Sequence, residues 1–149
     1  MSIQNNLYKI LLISFITLVF LSCTKQASNT PLSISQAYAK FPIEGQSSTV
    51  AYMTISNFSM QNLQIIGVRC SGVESSMFHN TVLNSDNQMI TMMMEKVLNI
   101  GSGQEIYLTE GGRHLMLMGL DLNSLKKGYI LCDFFLNQEE VFPFKIILR

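Results

Sequence analysis

The sequence has no concentration of charge of either sign. Its 149 residues contain ten Lys and Arg against ten Asp and Glu, a formal net charge of zero at pH 7 with neutral histidines. No basic run and no acidic tail is present, so the electrostatic footprint with which a nucleic-acid binder attracts phosphates is missing. We therefore expect no nucleic-acid partner.

The sequence also lacks the motifs of hydrolytic enzymes. No Gly-x-Ser-x-Gly segment, which would hold a serine nucleophile on a strand-to-helix turn, occurs in the chain. His79 and His114 are the only two histidines. If both bind a metal, no obvious general base remains. These absences argue against an enzyme.

After the N-terminal region, no segment of convincing length has apolar residues at the spacing of a helix. Short apolar or alternating runs separated by turn residues predict an all-β chain instead. The expected strands cover residues 34–40, 49–56, 63–70, 76–83, 88–94, 104–109, the run after Gly112, 129–136 and 141–148. Short strands at this spacing are typical of an antiparallel β-sandwich.

Three strands carry more specific expectations. Residues 84–87 form a polar loop, which predicts that the strands on either side of it pair as an antiparallel hairpin. Leu63 to Cys70 is apolar on both faces, which predicts a central strand. Pro143 cannot donate a hydrogen bond to a neighbouring strand, so the last strand should be an edge strand or carry a bulge.

The N-terminus is typical of an export signal. Ile10 to Leu21 is an apolar run that is too short to span a bilayer comfortably and suits the core of a signal peptide. It ends in Ser22-Cys23, which resembles a bacterial lipoprotein cleavage site; an ordinary signal peptide cleaved nearby is the alternative. We therefore predict a signal peptide over residues 1–22, a tether over 23–30 with a lipid on Cys23, and a domain over 31–149. The mature protein should be exported to the periplasm and anchored to a membrane.

Two cysteines, Cys70 and Cys132, remain in the predicted domain. An even pair in an exported protein is compatible with a disulfide, but buried cysteine also serves as a small apolar residue. Strand adjacency cannot be deduced from one sequence, so both alternatives stay open.

Methionine is the residue that the sequence has in excess, with ten against two histidines and no tryptophan. The strand after Gly112 places His114, Met116 and Met118 on one face and leucines on the other, because side chains alternate along a strand. Imidazole and thioether are neutral, soft donors that suit Cu(I). The alternative is an apolar strand in which methionine fills gaps and the histidine is merely hydrogen-bonded.

A second group of donors lies on the predicted hairpin. His79 is on its first arm, and the second arm carries Met89, Met92, Met93 and Met94. If the sandwich places this hairpin beside the strand of His114, then His79, one methionine of the second arm, His114 and Met116 can converge. This convergence favours metal binding over a purely structural role.

These residues resemble the motif of the PCuAC periplasmic copper chaperones. Met92, twenty-one intervening residues and His114-Leu115-Met116 reproduce its second half. Twelve residues lie between His79 and Met92, one or two more than is usual, and the extra length falls in the loop at 84–87. The resemblance extends to residues 51–57 and 111–120.

The resemblance implies a cupredoxin-like, Greek-key β-sandwich that binds Cu(I) through His79, Met92, His114 and Met116. Spacing favours Met92, with Met93 and Met94 as alternatives if the strand register differs. Met118 would pack beneath the site, and the ligands would lie near strand ends and loops at one pole of the sandwich. Arg113 replaces an aromatic residue of the family, and its charge could alter copper affinity or docking.

The resemblance also implies a role for the copper. It implies delivery towards the CuA centre of cytochrome c oxidase, often together with a Sco-type protein, although storage or scavenging stays open. Two other functions remain to be weighed. One is an electron-transfer cupredoxin, whose site needs a thiolate with two histidines. The other is a structural or interaction lipoprotein whose methionines only form a core.

Overall fold

The computed structural model describes residues 31–83, 89–137 and 140–149. The predicted signal peptide, the tether with Cys23 and the loop at 84–87 lie outside these residues. Within the described ranges, no helix is long and apolar enough to cross a membrane.

Ten strands and one short 3₁₀ helix, Ser124–Lys127, make up the regular structure of the described residues. The strands are β1 Leu32–Ala39, β2 Ser48–Asn57, β3 Leu63–Cys70, β4 Val73–Leu83, β5 Met89–Glu95, β6 Leu98–Ile100, β7 Glu105–Leu108, β8 Arg113–Leu120, β9 Tyr129–Leu136 and β10 Val141–Leu148. The predicted strands therefore all occur, within two or three residues of their expected bounds, and only β6 was not predicted.

The strands are hydrogen-bonded in the order β5-β4-β8-β2-β1-β10-β9-β3-β6, and β7 also pairs with β2. β4 and β5 pair as the predicted antiparallel hairpin. All pairings are antiparallel except that of β1 with β10, which is parallel and joins Tyr38 to Ile147 and Ala39 to Leu148. The predicted all-β, cupredoxin-like sandwich is confirmed, with this one parallel pair as an exception to its antiparallel pattern.

Buried side chains of β4 and β8 pack into the core of the sandwich. Phe78 of β4 is buried, and its ring lies 5.8 Å from that of Phe134 of β9, which in turn lies 4.2 Å from Phe144 of β10. Leu115 and Leu117 of β8 are also fully buried. Because side chains alternate along a strand, the neighbours of these residues on β4 and β8 face away from the core.

Two expectations about individual strands have different outcomes. The expectation that β3 is apolar on both faces and central is wrong, because Ile66 is 51% exposed and β6 covers only the first three residues of β3. The expectation for Pro143 agrees with the structure. Pro143 lies opposite Asp133 of β9, whereas β1 pairs with β10 only at Ile147 and Leu148, so the other side of Pro143 has no strand partner among the described residues.

Cys70 of β3 and Cys132 of β9 are buried directly opposite each other and form a disulfide, with their Sγ atoms 2.02 Å apart. The bond joins two strands that are 62 residues apart in sequence. In this state neither sulfur is available as a thiolate.

Candidate metal site

The two histidines lie directly opposite each other on neighbouring strands. His79 of β4 is paired with His114 of β8, and the next pair on the same side is Met77 with Met116. The alternating neighbours Phe78 and Leu115 point into the core, so these four side chains share the outer surface. We call this surface, formed by the outward side chains of β4, β5 and β8, the donor face.

β5 adds thioethers beside His79. Met94 is paired with His79 and Met92 with Thr81, so both methionines belong to the donor face. Met93 is paired with Asn80 and therefore lies on the opposite face. Met92 and Met94 are 50% and 58% exposed, so both side chains are accessible. The sequence left Met92, Met93 and Met94 open as ligands. The strand register places Met92 and Met94 on the same face as His79 and excludes Met93 from it.

The donor atoms approach each other closely at His79. Its Nδ1 lies 3.0 Å from Sδ of Met92, and its ring centroid lies 5.6 Å from that of His114, with the rings at 73°. Met116 lies two residues further along β8, opposite Met77 rather than opposite a histidine. All four residues named by the sequence thus share one surface, three of them in close contact.

His114 is held in a defined orientation by the backbone. It is only 7% exposed, and its Nδ1 lies 2.9 Å from the carbonyl oxygen of Gly112. Since a carbonyl oxygen only accepts hydrogen bonds, Nδ1 donates its proton there, which leaves Nε2 as the nitrogen that can bind a metal ion. A backbone carbonyl commonly plays this part behind a metal-binding histidine.

The environment of His79 favours its neutral form. Partial burial, and after it the nearby His114, lowers the pKa of His79 below its ordinary value of 6.5. Both causes act against the charged imidazolium, by removing water from it and by placing a second positive charge beside it. The unprotonated ring is the form that binds metal ions.

The charge of Arg113 is neutralised away from the donor face. Its Nε and Nη2 donate to the two carboxylate oxygens of Glu95 at 2.6 and 3.0 Å. Arg113 is paired with Asn80 and Glu95 with Phe78, so the ion pair lies on the other side of the sheet. Arg113 stands where the PCuAC family has an aromatic residue. Because Arg113 is paired with Glu95, it does not add an unpaired cation to the site.

A groove opens beside Met116. It has a volume of about 280 Å³ and is lined by Met116, Val50 and Tyr52 together with the exposed apolar residues Phe41 and Ile43. Through this groove, solvent or the surface of another molecule can reach the edge of the donor face.

The arrangement differs in part from the expectation. The candidate ligands were expected near strand ends and loops, but His79 and Met92 lie within their strands, and only His114, the second residue of β8, lies near a strand end. Met77 was missed, although its position two residues before His79 already predicted a place on the same face. Gly112 was noted as a turn residue but not as the acceptor that orients His114.

The donor set on this face consists of two imidazoles and several thioethers. Within residues 31–83, 89–137 and 140–149, no three side chains of His, Cys, Asp or Glu are grouped so that they could hold a metal ion. Because Cys70 and Cys132 are bonded to each other, they do not supply the thiolate that an electron-transfer cupredoxin uses.

Comparison with known sequences identifies relatives of this chain. Residues 32–128 match the sequence model of a family described as "Putative lipoprotein LpqE-like". The chain is 32% identical over 97 residues to "Putative lipoprotein Lxx21020" of Leifsonia xyli subsp. xyli (strain CTCB07), a match that covers 64% of this chain. It spans 55% of the length of that relative.

Comparison with solved structures shows the same fold in other proteins. The copper-bound PCuAC domain from PmoF2 superposes with a TM-score of 0.64 at 15% identity, over 80% of this chain and 92% of that domain. The apo form of that domain gives the same TM-score and identity. Apo-DR1885 from Deinococcus radiodurans gives 0.59 at 24% identity, over 83% of this chain and 81% of the other. At these identities the likeness shows a common fold.

Proposed function

Since this chain belongs to the LpqE-like family and brings two histidines and several methionines onto one surface, we propose that it is a Cu(I)-binding carrier. In this proposal His79, Met92, His114 and Met116 hold the ion. The observation that carries it is the contact of His79 Nδ1 with Met92 Sδ at 3.0 Å, directly beside the ring of His114.

The chemistry of the donors supports copper in its monovalent state. Thioethers are soft ligands that select Cu(I), and imidazole is compatible with it. Four neutral donors leave the complex with a single positive charge. Zinc should bind much more weakly, because a divalent borderline ion in proteins is usually held by thiolates, carboxylates or a larger number of imidazoles.

The position of the donors supports a carrier rather than a catalyst. Met92 is half exposed, and Met116 borders the groove at Phe41 and Ile43, so a second protein can reach the ligands without opening the core. A neutral donor set without a thiolate favours exchange of the ion. A copper-bound state of a PCuAC domain with this fold is compatible with such a role.

The setting of the protein is the second part of the proposal. We propose that the chain is exported to the periplasm and anchored through a lipid on Cys23, which the sequence before the domain supports and which the name of the LpqE-like family suggests. Its copper would pass towards the CuA centre of cytochrome c oxidase, together with a Sco-type protein. The motif that runs from His79 to Met116 resembles that of the PCuAC chaperones. This resemblance supports delivery towards the CuA centre.

Competition with a Cu(I) chelator under anaerobic conditions tests the site. Replacing Met92, Met116 or His114 (Met92→Leu, Met116→Leu, His114→Gln) should weaken Cu(I) binding at least about tenfold, which corresponds to about 1.4 kcal/mol. Met93→Leu is the matched control, because Met93 lies on the same strand with the same 50% exposure but on the opposite face. Met60→Leu is a second control, since Met60 is 93% exposed in the loop after β2.

The outcomes separate the remaining alternatives. If Met94→Leu weakens binding and Met92→Leu does not, the ligand on β5 is the methionine directly opposite His79. Equal competition by all variants would mean that the assignment of the ligands is wrong. Absence of Cu(I) binding by the parent protein would leave the structural or interaction lipoprotein as the better description.

A further inference from the structure

The donor face continues beyond the four proposed ligands. Met77 lies directly opposite Met116, as the next pair after His79 and His114. Met118 follows two residues after Met116 on the same side of β8 and is paired with Ser75 on one neighbouring strand and Ser48 on the other. Three thioethers thus lie next to one another, beside the histidines.

Packing in the core does not explain these three methionines. Phe78, Leu115 and Leu117, which alternate with them, are the residues that fill the core. Met77, Met116 and Met118 are each only partly buried on the outer surface. A flexible apolar side chain is useful for filling internal gaps, but none of these three faces the interior.

Their spacing allows a shared ion. Side chains directly opposite on antiparallel strands have Cβ atoms about 4.5–5.5 Å apart, and diagonal neighbours about 7–8 Å. Methionine has three rotatable side-chain bonds, so both separations are within its reach. The residues paired with Met118, Ser75 and Ser48, have short side chains.

We infer that Met77, Met116 and Met118 form a second, all-thioether Cu(I) position that overlaps the histidine site by sharing Met116. This inference rests on the proposed function, since it concerns the same ion. The ion would leave the two imidazoles by exchanging ligands around Met116, one at a time. The second position lies on the side of the donor face next to Ser48, a residue that also lines the groove at Phe41 and Ile43.

The test follows the methionine methyl groups by NMR in protein labelled with ¹³C at the Met methyl positions, with Cu(I) added anaerobically. In the parent protein the signals of Met92 and Met116 should shift. In the double variant His79→Gln/His114→Gln, which removes both imidazoles and keeps the core residues Phe78, Leu115 and Leu117, added Cu(I) should shift the signals of Met77, Met116 and Met118.

Affinity provides a second readout. In the His79→Gln/His114→Gln background, Met77→Leu should reduce the remaining Cu(I) affinity at least about tenfold, whereas Met93→Leu should leave it unchanged. If the parent protein responds to Cu(I) but the signals of Met77 and Met118 do not move in the double variant, the inference is wrong and the proposed function stands. If no methionine signal of the parent protein responds, the proposed function itself fails.

Discussion

The two imidazoles set the chemical character of the donor face. They are opposite each other on β4 and β8, with ring centroids 5.6 Å apart, and they differ in burial. His114 is nearly buried and oriented by the carbonyl of Gly112, whereas His79 is more accessible and in contact with Met92. A positive charge on His114 would oppose the charged form of His79, because two positive charges at this distance repel each other.

Titration of the metal-free protein tests this coupling. The pKa of His79 should lie below 6.5, because burial and then His114 oppose its charged form. A lowered pKa means that the unfolded chain binds more protons than the folded chain just below pH 6.5. The contribution to stability is therefore present above pH 6.5 and is lost as the pH falls through 6.5 towards the lowered pKa.

NMR titration of the His79 ring protons measures this pKa directly. The variant His114→Gln is the control, since it removes the neighbouring charge and should move the pKa of His79 back towards 6.5. A midpoint at or above 6.5 in the parent protein would contradict the environment described for His79.

At the scale of elements, β5 is the least supported part of the donor face. Among the strands that the structure describes, it is an edge strand and is hydrogen-bonded only to β4, yet it carries Met92. The ion pair between Glu95 of β5 and Arg113 of β8 crosses β4 on the opposite side of the sheet. This bidentate pair therefore ties the strand of Met92 to the strand of His114 and Met116.

Removing this pair should loosen β5. Glu95→Gln should speed hydrogen exchange of the β5 amides about fivefold, which corresponds to about 1 kcal/mol for a partly buried bidentate pair. Cu(I) affinity should fall with it, because Met92 is then less firmly positioned. Amide exchange followed by NMR, together with chelator competition, measures both effects.

Glu110→Gln is the matched control for that experiment. Glu110 also forms an ion pair, with Lys40 at 2.7 Å, but both side chains are more than half exposed, so the pair should contribute little. Arg113→Gln should reproduce the effect of Glu95→Gln, and the double variant should be no worse than either single variant. Additive effects in the double variant would mean that the two residues act separately.

At the scale of the whole molecule, the donor face, the disulfide and the predicted lipidation site involve different parts of the chain. The donor face is built from β4, β5 and β8, and the domain begins with β1 at Leu32, shortly after the predicted tether. The disulfide of Cys70 and Cys132 joins β3 and β9, which form no part of the donor face. Cys23 is thus the one cysteine left for a lipid.

Changing Cys23 to Ser should release the protein from membranes into the soluble fraction. Two or three acyl chains anchor a protein stably, whereas the apolar run Ile10 to Leu21 alone is too short to span a bilayer comfortably. Fractionation of cells followed by detection of the protein measures the change. The released protein should bind Cu(I) as the parent does, because residues 1–30 contribute none of the proposed ligands. Unchanged membrane retention would refute lipidation at Cys23.

Strand positions were predictable from the sequence because they depend on local patterns. The alternation of apolar and polar residues has a period of two in any strand, and turn residues mark its ends. The same rule already placed His114, Met116 and Met118 on one face. It failed at β6, which is only three residues long and gives too little pattern. It also failed at Ile66, an apolar residue that the fold leaves exposed.

The sequence by itself therefore determined the all-β class, the strand positions and the alternation of donors along each strand. Only the tertiary structure decided that His79 lies opposite His114, that Met77 lies opposite Met116, and that Met92 but not Met93 belongs to the donor face. It also decided the pairing of Cys70 with Cys132. The physical reason is that strand register depends on hydrogen bonds between segments far apart in the chain, and shifting it by one residue would turn every side chain to the other face.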